Sequence, residues 1–496
     1  MKSHHRKAKH SGMAAMLLTV LVAVIIFVGA VVSAQAQTFT SLYSFQGTAS
    51  NYGAYPMGLV QGTDGNLYGV TAAGGTNGGD DDAGIFFKIS TSGKETIICS
   101  FNYVACAGAQ NPTANLVLGS NGDFYGVDAA NQMFRITPGA KLSILYTLPT
   151  TSYAATTPLV LATNGDFYGT LKNGGAYNNC FGPCGSVFKM TATGKLTTLY
   201  SFCAVVENSA CTDGDEPEFP LVQGSDGNLY GTTSGGGTDG VNVGYGTIFK
   251  ITPAGKLTTI YNFPGYTQSS SALIQGADGN FYGTTYTGGS GIYGAEGTFF
   301  TVTPTGVLTT LYNFCNLQNC ADGSEPTNIY LATDGNFYGI TWQGGVNSQG
   351  TIFQITPSGT LTTLHSFDGT DGSGPNGGGT LMQDTNGTFY GTMQEGGESW
   401  PCDSVVCDGT IFSLDMGLGP FVKTVPIYGK VGTAVKILGT NLKGSTSVSF
   451  NGIAATFKVA SSSEITTTVP AGATTGSVTV VTPTGTITSN VAFQVP

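Results

Sequence analysis

Between Leu221 and Thr233 the chain reads apolar, then turn, then aromatic: LVQ, GSDGN, LYGTT. Asp226-Gly227 is a two-residue hairpin turn, because both residue types tolerate positive φ. The apolar run before it and the aromatic pair after it therefore predict two antiparallel strands, A and B. A second hairpin follows at Gly246–Phe263, GTIFKITPAGKLTTIYNF. Its strand C is Thr247–Thr252, its turn Pro253-Ala254-Gly255 and its strand D Lys256–Phe263. Alternation in strand C sends Ile248 and Lys250 one way and Phe249 and Ile251 the other.

This four-strand pattern recurs. The core hexapeptide stands at Asp64–Gly69, Asn121–Gly126, Asn164–Gly169, Asp226–Gly231, Asp278–Gly283, Asp334–Gly339 and Asn386–Gly391. Its spacing is shortest from Tyr125 to Tyr168 and longest from Tyr168 to Tyr230, in the range of a propeller blade, whose period is roughly 40–50 residues. Strand D endings follow six repeats, at Phe101, Leu148, Phe202, Phe263, Phe314 and Phe367. The seventh repeat stops after its strand C, Gly409–Leu414, and a spare D-like segment, FTSLYSF at Phe39–Phe45, precedes the first strand A. A closed ring explains that offset and hides two sheet edges. The predicted fold is all-β: a seven-bladed β-propeller over residues 37–416, closed by an N-terminal strand. Residues 417–496 lack the hexapeptide and show short alternating segments such as Ala434–Leu442 and Gly476–Pro483, which predict a small Ig-like β-sandwich.

Composition narrows the function. Only 9% of residues are charged and 75 are glycine, as an all-β chain with many tight turns requires. Residues 1–36 read as a signal peptide: a basic start, an apolar run at Ala14–Val32 and a small-x-small site at Ala34-Gln35-Ala36. An uncleaved membrane anchor is the alternative, since the run is long enough to span a bilayer. Cleavage removes four of the 18 basic residues and leaves the formal charge more negative than −11. No basic patch then remains for a nucleic acid or an anionic membrane surface, so the expected place is secreted, cell-surface or periplasmic, with no membrane insertion after cleavage.

All ten cysteines follow that segment as close neighbours: Cys99/Cys106, Cys180/Cys184, Cys203/Cys211, Cys315/Cys320 and Cys402/Cys407. Even counts at short spacing in an exported chain predict local disulfides. Zinc would need convergent ligands, and these pairs are dispersed along the sequence.

The unit DGN(L/F)YGTT…GG…GTIFKITPSGKLTTLYSF resembles the GloVer (Gloeo_Verruco) tandem repeat of exported bacterial proteins, from about Phe39 to Leu414. The second unit departs most, with Asn131-Gln132-Met133 in place of Gly-Thr-Ile. The tail resembles an IPT/TIG Ig-like domain through Gly432-Thr433, Gly439–Leu442, Val448–Gly452 and Val469–Ala473. The first resemblance implies a propeller and supplies no catalytic residues; the second implies a spacer or binding module.

In a propeller the A–B and C–D turns share one face and the B–C and D–A loops the other. Here the second set is long, varied and cysteine-bearing, and variable loops on a rigid scaffold are where binding resides. Tyr286 and Trp342 occupy equivalent B–C positions with Ala72, Lys172, Ser234 and Gln394, and Trp400 follows in the next such loop. These aromatics suit stacking on sugars or anchoring a protein, or plain loop packing. Asp213, Asp215, Asp322 and Asp371 lie in acidic loops that offer carboxylates to Ca²⁺, although solvated turns explain them as well. No other cofactor is expected. Glu395, Glu398, Asp403 and Asp408 crowd one loop beside Trp400, a setting for two-carboxylate glycosidase chemistry without a motif to mark it. His365, the one histidine after the leader, fills a slot that Tyr43, Tyr200 and Tyr312 occupy in other D strands, which argues against a Ser-His-Asp centre. The reading is a non-catalytic exported protein that binds an extracellular glycan or a cell-envelope protein. Its rivals are a polysaccharide hydrolase or lyase and a purely structural surface component.

Overall fold

The computed structural model describes residues 37–46, 53–75, 83–101, 106–148, 157–180, 182–207, 210–238, 245–265, 267, 272–291, 296–374, 379–397 and 408–496. The expected signal peptide, Glu398, Trp400, Cys402, Asp403 and Cys407 lie outside the described residues. Residues 37–496 form one compact unit. It is all-β apart from a single 3₁₀ turn at Gln318–Cys320 among the described residues.

Each hexapeptide sits in a four-stranded antiparallel sheet. Sheets 1 to 6 span Gly53–Ser100, Val117–Thr147, Val160–Ser201, Val222–Asn262, Ile274–Asn313 and Ser324–Ser366. Sheet 7 joins Thr380–Gln383, Phe389–Met393 and Thr410–Asp415 to the N-terminal strand Thr38–Ser44. The expected pairing of the chain's two extremities is present: Thr38 faces Asp415, Phe39 faces Leu414 and Ser44 faces Thr410.

The hexapeptide has a local physical logic. In DGNLYG the Asp226 carboxylate accepts the Asn228 N–H at 3.1 Å, its side-chain amide at 2.7 Å and the Tyr230 hydroxyl at 2.9 Å. Asp64, Asp278 and Asp334 receive the same three bonds. Where Asn replaces Asp, the Asn121 amide donates to the Tyr125 hydroxyl at 3.1 Å instead. Gly227 holds φ 79° in the turn. Gly231 matters for packing: a Cβ there would stand 2.7 Å from Phe249 Cζ and 2.7 Å from a Leu221 methyl. The last glycine thus lets the strand C phenylalanine lie flat across strand B.

Strand C departs from simple alternation. Ile248, Phe249 and Ile251 are all buried, and only Lys250 reaches the surface. The sheet is covered on both faces by its neighbours, so the second face is apolar as well. A register shift in the C–D pairing accompanies it, between Ile248 and Phe249.

One aromatic contact joins successive sheets. The phenylalanine ending each strand D meets the strand C phenylalanine of the next sheet: Phe101–Phe134, Phe202–Phe249, Phe263–Phe300, Phe314–Phe353 and Phe367–Phe412, with centroids 5.1–5.9 Å apart. Leu148 and Phe188 share the seam between sheets 2 and 3. Phe45 meets Phe87 at 5.5 Å, which brings sheet 7 against sheet 1. Such pairs add about 0.5–1.5 kcal/mol beyond area burial.

The C-terminal residues build two further four-stranded sheets, one through Lys423–Val425, Ala434–Leu438, Glu464–Thr468 and Phe457–Val459, the other through Ile453–Ala454, Ser447–Phe450, Val478–Thr482 and Gly485–Thr488. Val435, Ile437, Val448, Phe450, Ile465 and Val480 share one core between them. This part rests on the A–B turn side. Ser463 donates to the Thr63 carbonyl at 2.9 Å, Thr440 and Thr385 hydroxyls lie 3.3 Å apart, and the Lys423 amine donates to the Gln383 carbonyl at 2.6 Å. Burial pushes the Lys423 amine down to about 8, partly opposed by Asp384.

Candidate functional site

The loop face is organised by two recurring devices. In the first, an aspartate closes three of the D–A loops onto the end of strand D. Asp322 accepts the Tyr312 hydroxyl at 2.7 Å and the N–H groups of Asn316 at 2.9 Å and Leu317 at 3.0 Å. Asp213 accepts the Tyr200 hydroxyl at 2.7 Å and the N–H groups of Ala204 and Val205 at 3.0 and 3.3 Å. Asp371 does the same with His365 Nε2 at 2.7 Å and the Asp368 N–H at 3.0 Å. His365 therefore substitutes for tyrosine in a structural contact, and its ring also stacks on Phe39 of the closing strand at 3.7 Å.

These bonds give Asp213, Asp322 and Asp371, the residues expected to offer carboxylates to Ca²⁺, a structural role of their own. Their oxygens accept from N–H and O–H donors of the same loop and of strand D. Asp215 stands apart: it lies 3.5 Å from Cys180 Sγ, and burial, then Glu216 and Asp213, push its carboxyl up to about 6.

The second device was invisible in the sequence. A non-glycine residue with positive φ precedes a proline in the D–A loops: Tyr55 at 57°, Asn111 at 47°, Glu216 at 50° and Glu325 at 56°. Each N–H is held by a carbonyl at the end of the neighbouring B–C loop, for Glu325 that of Glu296 at 2.8 Å and for Glu216 that of Cys184 at 3.0 Å. Such backbone is costly and persists only where surroundings over-determine it. Its consequence is that the side chain at this position stands over the seam between two sheets.

At the seam of sheets 5 and 6 that side chain meets the predicted aromatics. Tyr286 and Trp342, both half-buried, stand with centroids 5.4 Å apart and planes tilted by 40°. The Tyr286 hydroxyl donates to Glu325, and the Gln343 amide donates to the same carboxylate at 3.1 Å. Gly374 lies against the indole, where a Cβ would stand 3.2 Å from Cδ1 and Nε1. Burial, then the nearby Glu296, pushes the Glu325 carboxyl up, opposed by its two hydrogen bonds. Burial first and Glu325 second push the Tyr286 phenol up as well. The result is a half-exposed aromatic step with a carboxylate and an amide at its edge.

The corresponding seam of sheets 3 and 4 is closed by charge. There Lys172 pairs with Glu216 at 3.5 Å and, more closely, with Glu218. Gln394 is buried and donates to Met57 Sδ at 3.3 Å, which takes that position out of the surface. The Glu395 backbone pairs with Ser373, its carbonyl accepting the Ser373 N–H at 3.0 Å. Asp408 is buried, and burial pushes its carboxyl up to about 6.

Four predicted disulfides are formed: Cys99–Cys106, Cys180–Cys184, Cys203–Cys211 and Cys315–Cys320. The expectation that the pairs stay dispersed fails for two of them. The sulfurs of Cys180, Cys184, Cys203 and Cys211 all lie within 4.8 Å of one another, the one potential metal-holding group among the described residues. The B–C and D–A loops meet at the seam, and sequence distance hid that meeting.

A cavity of 970 Å³ lies on the opposite, A–B turn side. Val222, Ile274 and Tyr330 line it together with Ile427, Tyr428 and Val491 of the C-terminal part. The sequence placed no feature there, because the cavity arises where the two parts meet.

The Gloeobacter/Verrucomicrobia repeat model matches residues 28–205, 128–318 and 268–437, and the IPT/TIG domain model matches residues 420–495. No curated protein matches the chain. Among solved structures, a streptogramin B lyase is similar at 16% identity, covering 76% of this chain and 97% of that one, with a TM-score of 0.49. The extracellular domain of a putative hybrid two-component system from B. thetaiotaomicron is similar at 13% identity, covering 88% and 52%, with a TM-score of 0.45. A putative gluconolactonase is similar at 10% identity, covering 78% and 94%, with a TM-score of 0.37.

Proposed function

Because the chain belongs to the Gloeobacter/Verrucomicrobia repeat family and carries an IPT/TIG domain, we propose that it is an exported, non-catalytic glycan-binding protein. In this reading it is a seven-bladed propeller with an Ig-like sandwich on its A–B turn side, and it recognises sugar on the loop face between the fifth and sixth blades. The seven four-stranded sheets and the pairing of Thr38–Ser44 with Thr410–Asp415 support the ring. The disulfides and the basic-then-apolar leader sequence support export.

The observation that carries the binding reading is the Tyr286–Trp342 step with Glu325 and Gln343 beside it. A pyranose presents an apolar C–H face and a rim of hydroxyls. The face stacks on the indole and phenol, and the rim donates to Glu325 and accepts from Gln343. The strained backbone at Glu325 holds that carboxylate in place before the ligand arrives, which reduces the ordering cost of binding.

The test is a glycan array with the wild type and Trp342→Ala, run beside a reducing-sugar release assay on the same polysaccharides. Binding that Trp342→Ala abolishes, without release of reducing ends, supports the reading. Turnover of a polysaccharide overturns it in favour of an enzyme; self-association without any glycan bound overturns it in favour of a structural role.

A further inference from the structure

The seam of sheets 3 and 4 holds a cluster that binding on the loop face does not use. Cys180 and Cys184 come from the B–C loop of sheet 3. Cys203 follows its strand D, and Cys211 closes the small hairpin of Val206–Glu207 and Ala210–Cys211 in the D–A loop. Cys184, Cys203 and Cys211 are almost fully buried. The four sulfurs lie within 4.8 Å of one another, and Cys180 Sγ is 3.5 Å from Cys211 Sγ although the two belong to different disulfides. A tetrahedral site with Zn–S bonds of about 2.3 Å requires sulfurs roughly 3.8 Å apart. The distances between the two pairs are already on that scale, and reduction frees the sulfurs of each pair to separate to it.

The sulfurs are also held in place by more than their own bonds. The Cys184 carbonyl accepts the Glu216 N–H at 3.0 Å. The Cys211 carbonyl accepts the N–H groups of Gly214 and Gly237 at 3.0 and 2.9 Å, and the Cys184 N–H donates to Tyr177 at 3.1 Å. These main-chain bonds do not involve the disulfides, and they tie the segments that carry Cys184 and Cys211 to their neighbours. Asp215 Oδ2 lies 3.5 Å from Cys180 Sγ at the edge of the cluster.

We propose that the fully reduced chain holds one zinc ion at Cys180, Cys184, Cys203 and Cys211, and that oxidation exchanges this ion for the two disulfides. The balance closes. Two disulfides take up four electrons and four protons to give four thiols: four reductant thiols supply both, or two phosphines supply the electrons and become phosphine oxides while two waters supply the protons and the oxygens. One Zn²⁺ then displaces the four protons. Two molecules of a disulfide oxidant, each taking two electrons to become two thiolates, form both disulfides by exchange and expel the ion. A chain synthesised in a reducing compartment begins with the thiols, so the metal site precedes the disulfides in its history.

The experiment uses the protein kept reduced in a phosphine from synthesis onward and exposed to zinc alone or to cobalt(II) alone. The expected result is one zinc per chain by elemental analysis, and the intense visible bands of tetrahedral cobalt–thiolate. Both are lost in Cys184→Ser and in Cys203→Ser and kept in Cys315→Ser. Alkylation followed by peptide mass spectrometry gives a readout on the wild type that does not depend on a variant folding: zinc slows labelling of these four cysteines and leaves the rate at the partly exposed Cys320 unchanged. Less than a tenth of an equivalent of zinc, cobalt bands that survive Cys203→Ser, or uniform alkylation with and without zinc overturns the proposal.

Discussion

The Asp322 clamp allows the sharpest quantitative prediction. Its side chain is fully buried and accepts the Tyr312 hydroxyl and the Asn316 and Leu317 N–H groups at 2.7, 2.9 and 3.0 Å. Asp322→Ala strips all three donors of their acceptor. A hydrogen bond to a charged group contributes about 1.5–3 kcal/mol, and three bonds to one carboxylate are not additive, so the expected loss is about 3–5 kcal/mol. Asp322→Asn keeps one carbonyl oxygen but turns an NH₂ group toward an N–H donor, for an expected loss of about 2 kcal/mol. Chemical denaturation measures the total. Amide hydrogen exchange localises it, with the Asn316 and Leu317 amides exchanging at least about a hundredfold faster in the alanine variant, since about 1.4 kcal/mol is tenfold. A loss under about 1 kcal/mol with unchanged exchange at both amides refutes the clamp. So does calcium that raises the stability of the wild type but not of Asp322→Ala, which restores the cation reading.

Three further perturbations test other parts of the account. Asp215 is an acid whose folded pKa is raised to about 6 by burial, then by Glu216 and Asp213. The folded state thus binds more protons than the unfolded state between about pH 4 and 6, and stability falls as pH rises through that window. Asp215→Asn should therefore stabilise the protein by about 1–2 kcal/mol at pH 7.5 and by nothing below about pH 4; equal effects at both pH values in thermal melts contradict this. Gly231→Ala drives a methyl to within 2.7 Å of Phe249 and Leu221 and should cost about 1–3 kcal/mol, read from the denaturation midpoint, against under 0.5 kcal/mol for an exposed surface substitution. His365→Tyr restores the tyrosine–aspartate pair seen at Tyr200–Asp213 and Tyr312–Asp322. It should leave stability within about 1 kcal/mol of the wild type, whereas His365→Ala, which removes the partner of Asp371 and the stack on Phe39, should cost about 2–3 kcal/mol; equal losses in the two variants argue against the shared slot.

Much of the architecture was legible because it is written locally and repeated. Asp-Gly and Asn-Gly turns, the tyrosine that answers their side chain and the glycine that admits a phenylalanine all lie within one hexapeptide. The missing strand D after Leu414 and the spare one at Phe39 gave away the pairing of the two extremities. What the sequence hid lies where two repeats meet. Cys184 and Cys211 look unrelated until the B–C and D–A loops converge. Glu325 reads as one more acidic loop residue until positive φ before Pro326 sets it beside Tyr286. Alternation in strand C spoke of direction and not of burial, and Ile248 is buried because a strand covered on both faces needs no polar side. Asp213, Asp322 and Asp371 have the composition of a calcium loop, and only the donors that face them reveal a clamp.

Closure of the ring is the claim on which the division into two faces depends, and cross-linking tests it directly. Thr38 and Asp415 are exposed and face each other across the closing pair. Residues directly opposite on antiparallel strands have Cα atoms about 4.5–5.5 Å apart, within reach of a disulfide. In Thr38→Cys/Asp415→Cys the account predicts spontaneous oxidation to a cross-linked peptide pair, detected by mass spectrometry as fully as in the paired control Lys189→Cys/Thr197→Cys within sheet 3. Free thiols at 38 and 415 while the control is cross-linked would contradict it.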